Sequence, residues 1–140
     1  MSGRFSAGLQ ASVYGRLAAD PGLAALIGAA IYDAPLERGP EDPAGGDYLT
    51  LGEETVRAND TKTSRGAIHD FTVTVHSGRD GFDAAKRIAA AVCDCLVDAP
   101  LAIGAGRLVA LRFLRAGAER GRAPERRRIS LRFRAVVDAD

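Results

Sequence analysis

Hydrophobic residues recur at helical spacing in two long segments of the chain. In residues 5–19 the apolar side chains of Phe5, Leu9, Val13 and Leu17 lie four apart, which places them on one face of a helix. A second helix is predicted from Asp80, a possible N-cap, to Pro100, which would end it. Its predicted buried stripe consists of Phe82, Ala85, Ile88, Val92, Cys95 and Leu96. A short apolar helix is predicted over residues 23–27.

After residue 47 the period of the apolar residues changes to two, which is typical of β-strands. Alternation predicts strands at residues 48–51, 70–76, 108–114 and 128–137. In the third strand Val109, Leu111 and Phe113 are expected to share the buried face. Residues 57–66 are polar and predict a hairpin loop, and residues 116–125 predict a glycine-rich, charged turn between the last two strands.

This order of elements predicts an α+β fold in a single domain spanning residues 1–140. We expect an antiparallel sheet of about four strands with two main helices packed on one face. The opposite face would carry polar side chains and must contact water or another chain. Its expected members are Thr72, Thr74, Arg112, Ser130, Arg132 and Arg134.

The nearly balanced total charge of +1 conceals a strongly basic segment. Residues 112–134 contain nine arginines and two acidic residues, a local net charge of +7, so the rest of the chain carries −6. Such segregation of charge is evidence about the binding partners of the chain and not about its fold. We expect the arginines of this segment to meet their carboxylates mostly across boundaries with other subunits or partners.

Residues suited to catalysis or metal binding do not converge in this pattern. His69 and His76 are an odd number of residues apart, so a regular strand places them on opposite faces, where they cannot share a metal. Cys93 and Cys95 lie two apart in a predicted helix and cannot form a disulfide. The glycines of residues 104–106 precede a strand rather than a helix, so they predict a turn and no dinucleotide site. We therefore predict no catalytic residues, no metal and no cofactor.

The basic segment permits two interpretations. Its arginines could contact the acidic surface of another protein, or they could neutralise nucleic-acid phosphates. Modules that bind single strands usually alternate aromatic with basic residues, and only Phe113 and Phe133 lie nearby, both at positions expected in the core. We favour a protein interface. No apolar run approaches the roughly 20 residues that a membrane-spanning helix needs, and we expect a cytoplasmic origin and no membrane partner.

Short segments distributed over nearly the whole chain resemble the tail-completion, or tail-terminator, family of long-tailed phages. The resemblance rests on the order and spacing of LAALIG at 23–28, IYDAP at 31–35, YLTLGE at 48–53, TKT at 61–63, HDFTVTVHS at 69–77, AAK at 84–86 and LVALRF at 108–113. The arginine-rich and alanine-rich composition is most similar to the versions encoded by gene transfer agents, which are domesticated tailed-phage particles.

The resemblance implies a structural virion protein assembled in the bacterial cytoplasm. Members of the family form a hexameric ring at the head-proximal end of the tail tube, stop its polymerisation and join it to the head connector. The expected partners are therefore further copies of the chain, tube protein and connector, with DNA passing through the ring without specific binding. The residues expected at these interfaces are Lys62, Arg65, Arg115, Arg120, Arg122, Arg126, Arg127 and Arg128. The family supplies no catalytic residues.

Overall fold

The computed structural model describes residues 5–33, 46–62, 65–79, 81–120 and 127–139. Within these ranges, three helices and six strands follow one another in a mixed order, which confirms the predicted α+β class. The helices are α1 (Ser6–Ala18), α2 (Pro21–Ile27) and α3 (Asp83–Leu96). The strands are β1 (Ile31–Tyr32), β2 (Tyr48–Thr50), β3 (Glu54–Ala58), β4 (Gly66–Ser77), β5 (Arg107–Arg120) and β6 (Arg127–Asp138).

The six strands form one sheet in the order β1-β2-β4-β6-β5, with β3 pairing β4 beyond the end of β2. All pairs are antiparallel except β1 with β2. The expected count of about four strands was therefore too low. The two additional strands are β1, which has two residues, and β3, whose polar sequence carries no clear alternation. The loop predicted over residues 57–66 was wrong at both ends, because Arg57 and Ala58 belong to β3 and Gly66 begins β4.

The helices and the sheet enclose one hydrophobic core. The predicted stripe of α1 is buried through Leu9, Val13 and Leu17, and Arg16 donates from Nε to the Cys95 carbonyl at 3.2 Å, joining α1 to α3. The strands contribute Val73 and Val75 of β4 and the odd-numbered residues of β6 from Ile129 to Val137, all of them buried.

Helix α3 buries the predicted stripe from Ala85 to Leu96, whereas Phe82 is only partly buried, and the helix differs from the prediction at both ends. Phe82 occupies the N-cap position without a side-chain cap, and Asp80 lies outside the described residues. The helix ends at Leu96, before Pro100, because Val97 adopts an extended conformation. The next residue, Asp98, donates its backbone N–H to the Leu111 carbonyl of β5 at 2.9 Å. The backbone after α3 therefore contacts strand β5 directly.

Strands β5 and β6 form a hairpin that is longer than predicted. Pairing continues to Arg120 opposite Arg127, so much of the predicted turn at 116–125 belongs to β5. Two register shifts interrupt the pairing, one between Leu108 and Ala110 and one between Phe113 and Arg115. The first makes Val109 an extra residue, and its side chain is 48% exposed. The prediction that Val109 shares a buried face with Leu111 was therefore wrong, and Phe113, predicted on the same buried face, is 42% exposed.

Candidate functional site

The sheet face that points away from the helices carries the polar residues expected there. We call it the open face. On it, Asp70, Thr72 and Thr74 of β4 lie directly opposite Arg134, Arg132 and Ser130 of β6. The alternation of the two strands produces this arrangement, because their odd-numbered apolar residues all face the core.

Arg134 and Asp70 form a two-point ion pair at the centre of the open face. Arg134 donates from Nε to Asp70 Oδ1 at 2.8 Å and from Nη2 to Oδ2 at 3.0 Å. These hydrogen bonds hold the pKa of the Asp70 carboxyl below its usual value, and the charges of Arg134, Arg57 and Arg132 add to the effect. Asp70 is therefore a buried, ionised carboxylate that neutralises one arginine within the chain.

Arg132 is held by hydroxyl groups rather than by a carboxylate. Its Nη1 donates to Thr72 Oγ1 at 3.1 Å and its Nη2 donates to Thr55 Oγ1 at 3.2 Å. The guanidinium thus connects β6 with β4 and β3 across the open face. Hydroxyls fix its position, and no carboxylate of the described part of the chain forms an ion pair with it.

Strand β5 adds two further arginines to this face. Arg112 lies directly opposite Arg134, and Arg115 lies directly opposite Arg132. Like charges facing each other across a strand pair are unfavourable unless they are neutralised. Among the described residues neither Arg112 nor Arg115 forms an ion pair, and both are exposed. The open face therefore ends, on its β5 side, in two positive charges that no described carboxylate pairs with.

The end of the hairpin contains other arginines on both faces of the sheet. Arg128 Nη1 lies 3.9 Å from Glu119 Oε1 on the open face. Arg127, on the helix-covered face, places its guanidinium 5.0 Å from the centre of the Phe82 ring, and Arg120 lies opposite it in the pairing. Arg122 and Arg126, which we expect at an interface, lie outside the described residues.

The other two predicted interface residues lie at the opposite end of the sheet. Lys62 and Arg65 are exposed in the connection between β3 and β4, and the Arg65 carbonyl accepts a hydrogen bond from Ala139 N at 2.7 Å, just beyond the end of β6. The 12 residues of β6 separate this end from Arg127, a distance of roughly 36 Å. The predicted interface residues therefore form two terminal groups, with Arg115 between them on the open face.

The histidines occupy opposite faces of β4, as their spacing predicts. His69 is fully buried on the core face, where Nδ1 lies 2.8 Å from Glu54 Oε2. His76 lies on the open face, with Nε2 2.8 Å from Thr50 Oγ1 and its ring stacked on Tyr48. Both rings therefore support packing between strands. Among the described residues no group of three or more His, Cys, Asp or Glu side chains could hold a metal ion.

The cysteines and the glycine-rich segment also fit structural positions. Cys93 and Cys95 are not bonded to each other, and burial raises the pKa of both thiols, which lowers their reactivity. Gly104 and Gly106 have positive φ angles of 84° and 77° and turn the chain into β5. In the described part of the chain, no helix is long and apolar enough to cross a membrane.

Several residues of the open face were not recognisable as site residues from the sequence. Asp70 and Thr55 carry no motif, and their contacts with arginines depend on the pairing of β3, β4 and β6. Asp47, which lies outside the open face, is a further carboxylate of this kind. It is buried, accepts a hydrogen bond from Ser77 Oγ at 2.7 Å and accepts another from Arg79 Nε at 2.9 Å. Only long-range pairing identifies such carboxylates as structural.

Comparison with known proteins agrees with the sequence resemblance. One solved chain, from a structure described as the virion of a native gene transfer agent particle, is 48% identical with a TM-score of 0.86. The match covers 96% of the present chain and 98% of that chain. No curated protein matches significantly. The family described as tail completion protein gp17 matches residues 11–138, and the chain therefore belongs to this family.

Proposed function

We propose that this protein is a tail terminator. In this proposal, copies of the chain form a ring, with six subunits expected, at the head-proximal end of the tail tube. The ring stops polymerisation of the tube and provides the surface to which the head connector binds. DNA passes through the ring without being specifically bound, and the chain acts as a structural protein rather than as an enzyme.

The observation that carries this proposal is the family match over residues 11–138. Membership in the family gives the chain a structural role in tail completion. The relative in a gene transfer agent virion supports a place in a virion particle, because its similarity extends over almost the full length of both chains. A terminal position on the tail and contact with the connector go beyond these matches and belong to the proposal.

The geometry of the sheet suits a subunit that contacts several partners. Exposed basic residues lie at both ends of the sheet, with Lys62 and Arg65 at one end and Arg120 at the other. A ring subunit between tube and connector needs two such opposite contact surfaces. We propose that these two groups contact the tube protein and the connector, and that Arg115 contacts a neighbouring subunit.

Deletion of the gene from a particle-producing strain tests the proposal. We expect full heads that lack joined tails, or tails of uncontrolled length, because nothing would stop tube growth or bind the connector. Electron microscopy of purified particles measures this outcome. Complementation with the wild-type gene and with the Arg87→Glu variant, which alters an exposed helix residue, should restore normal particles. Normal particles from the deletion strain would contradict the proposal.

The alternative of a nucleic-acid-binding module receives less support from the geometry. Arg134 is neutralised by Asp70, and Arg128 lies beside Glu119, so part of the basic segment is matched within the chain. A phosphate-binding surface would instead leave its arginines available. The discriminating observation is the affinity of the purified chain for duplex DNA, which would fall steeply with salt if several phosphates were neutralised.

A further inference from the structure

One edge of the sheet is free of a described strand partner along more than half of the long strand β5. Within the described residues β5 pairs only with β6, so its other edge carries backbone groups without a strand partner. Asp98 N contacts this strand at the Leu111 carbonyl. The free edge therefore extends from Arg112 to Arg120. Such an edge is a template for pairing with another chain.

The side chains of this free edge restrict what can bind there. Phe113 is 42% exposed and Leu114 is 39% exposed, so the edge offers apolar contact area beside Arg112 and Arg115. Pairing of two β5 edges is unfavourable in any register that places Arg112 or Arg115 of one copy opposite Arg112 or Arg115 of the other. Two exposed arginines on this edge favour an acidic partner.

The opposite edge of the same sheet carries exposed carboxylates, and Arg57 of β3, on the same edge, lies with Nη1 3.9 Å from Asp70 Oδ2. Asp33, which follows β1, and Glu53, which precedes β3, are both exposed. Together with Thr50, Thr72, Thr74 and His76 they line a groove of about 370 Å³ on the open face. Asp33 Oδ1 accepts a hydrogen bond from Gln10 Nε2 of α1 at 3.5 Å, so Glu53 is the carboxylate that the open face presents at the edge farthest from β5.

The two charged edges are at the same height along the strands. The backbone N–H of Thr72 donates to the Glu53 carbonyl at 2.9 Å, and Thr72 pairs across β6 with Arg132, which pairs with Arg115. Glu53 and Arg115 are therefore level with each other on opposite edges. The strand directions also permit pairing, because β5 is antiparallel to β1 and β3 within one chain. When two copies are placed side by side in the same orientation, β5 of one copy is therefore antiparallel to the edge strands of the next.

We propose that the free edge of β5 binds the edge that carries Glu53 in a second copy of this chain, with Arg115 of one copy paired to Glu53 of the next. This contact joins two different surfaces, so each copy keeps one edge of each kind for further neighbours. Contacts between two different surfaces generate a closed ring when the rotation that relates one copy to the next adds up to a full turn. The inference deepens the proposed terminator function and rests on it for the ring, but the interface itself can be tested separately.

Paired cysteines test the interface directly. The double variant Arg115→Cys with Glu53→Cys should form a ladder of disulfide-linked oligomers under mild oxidation, because neighbouring strands bring such residues within bonding distance. The test uses both assembled particles and the concentrated purified chain, with nonreducing electrophoresis as readout. The variant Asp83→Cys with Glu53→Cys is the control, since Asp83 lies on the exposed surface of α3, and it should give no ladder.

Charge exchange provides a second, independent test. Arg115→Glu and Glu53→Arg should each weaken self-association of the concentrated chain about tenfold or more. Mixing the two variants should restore association, because each supplies the edge that the other lacks. The doubly exchanged chain should associate like the wild type. Circular dichroism of each variant verifies that it is folded.

The outcomes separate this inference from the proposed function. Dimers formed by Arg115→Cys alone would overturn it, because they would indicate pairing of two β5 edges. Absence of a ladder in particles that contain the chain would also overturn it, although the terminator function would stand. If the chain is missing from particles, the terminator function fails, and the ladder from the concentrated purified chain then decides the interface.

Discussion

Strands β5 and β6 have similar sequences and opposite environments. Both are arginine-rich and alternate between apolar and polar residues. In β6 every second residue from Ile129 to Val137 is buried, whereas in β5 every residue from Arg112 to Arg120 is exposed. Strand β6 has a neighbour on each side, while β5 lies at the edge of the sheet. Alternation therefore predicts a strand, but the position in the sheet decides what the strand buries.

The same contrast applies to the arginines that the two strands contribute. Arg134 and Arg132 on β6 can reach Asp70, Thr72 and Thr55 on the other side of the strand. Arg112 on β5 lies opposite Arg134, and within the described ranges it forms no ion pair. A central strand thus holds its charges within the chain, and an edge strand presents them to a partner.

The largest expected difference between the strands concerns their opposed phenylalanines. Phe133 is fully buried and stacks on Phe71, whereas Phe113, directly opposite, is 42% exposed. We expect Phe133→Ala to lower the free energy of unfolding by about 3–5 kcal/mol, since it leaves a cavity in the core. Phe113→Ala should cost about 1 kcal/mol. Urea unfolding of both variants measures these free energies. Equal losses of stability would contradict the expected difference between the central and the edge strand.

A smaller change in the free energy of unfolding is expected at the ion pair between Arg134 of β6 and Asp70. The pKa of Asp70 is lowered in the folded chain, so its carboxylate stabilises the fold at pH values above its unfolded pKa of about 4. This stabilisation is lost as the pH falls through the folded pKa. Asp70→Asn should therefore be less stable than the wild type at pH 7, and the difference should shrink below about pH 4.

Urea midpoints between pH 3 and pH 7 measure this dependence. Asp83→Asn serves as the matched control, because Asp83 also pairs with an arginine, Arg87, but on an exposed helix surface. Exposed pairs contribute little to stability, so this variant should follow the wild type at every pH. A difference between Asp70→Asn and the wild type that does not change with pH would argue against the ion pair.

The smallest change in stability is expected for substitution of the arginines at the β5 edge. Arg112→Ala should leave the stability of the dilute chain within about 0.5 kcal/mol of the wild type, because it removes no ion pair and relieves the charge facing Arg134. Arg132→Ala should cost about 1 kcal/mol through the loss of two hydrogen bonds. Thermal unfolding of the two variants compares them. Equal destabilisation would mean that Arg112 is engaged within the chain.

Local patterns predicted the parts of the fold that depend on a single periodicity. The buried stripe of α3 and the two faces of β4 follow from spacing alone, because each side chain's direction is fixed by its own backbone. The strand β3 could not be predicted, since its polar residues, such as Arg57, are compatible with a loop until β4 lies beside them. The exposure of Val109 depends on a register shift that alternation does not reveal.

Only the positive charge of the candidate site could be predicted from the sequence. The arginine-rich segment and the polar parity of Arg112, Arg132 and Arg134 are visible in the sequence. The expectation that the arginines find their carboxylates outside the chain does not hold for Arg134, which pairs with Asp70, and stays a prediction for Arg112 and Arg115. Sixty-four residues separate Asp70 from Arg134, and no local pattern connects them.

The class of fold, the two faces of its strands and the family follow from the amino-acid sequence alone. These depend on spacing between near neighbours and on the order of short segments. Which arginines are neutralised, and which edge of the sheet is free of a strand partner among the described residues, depends on the folded structure. Charge pairing depends on distances across strands, and these distances exist only after segments far apart in the sequence have been brought into register.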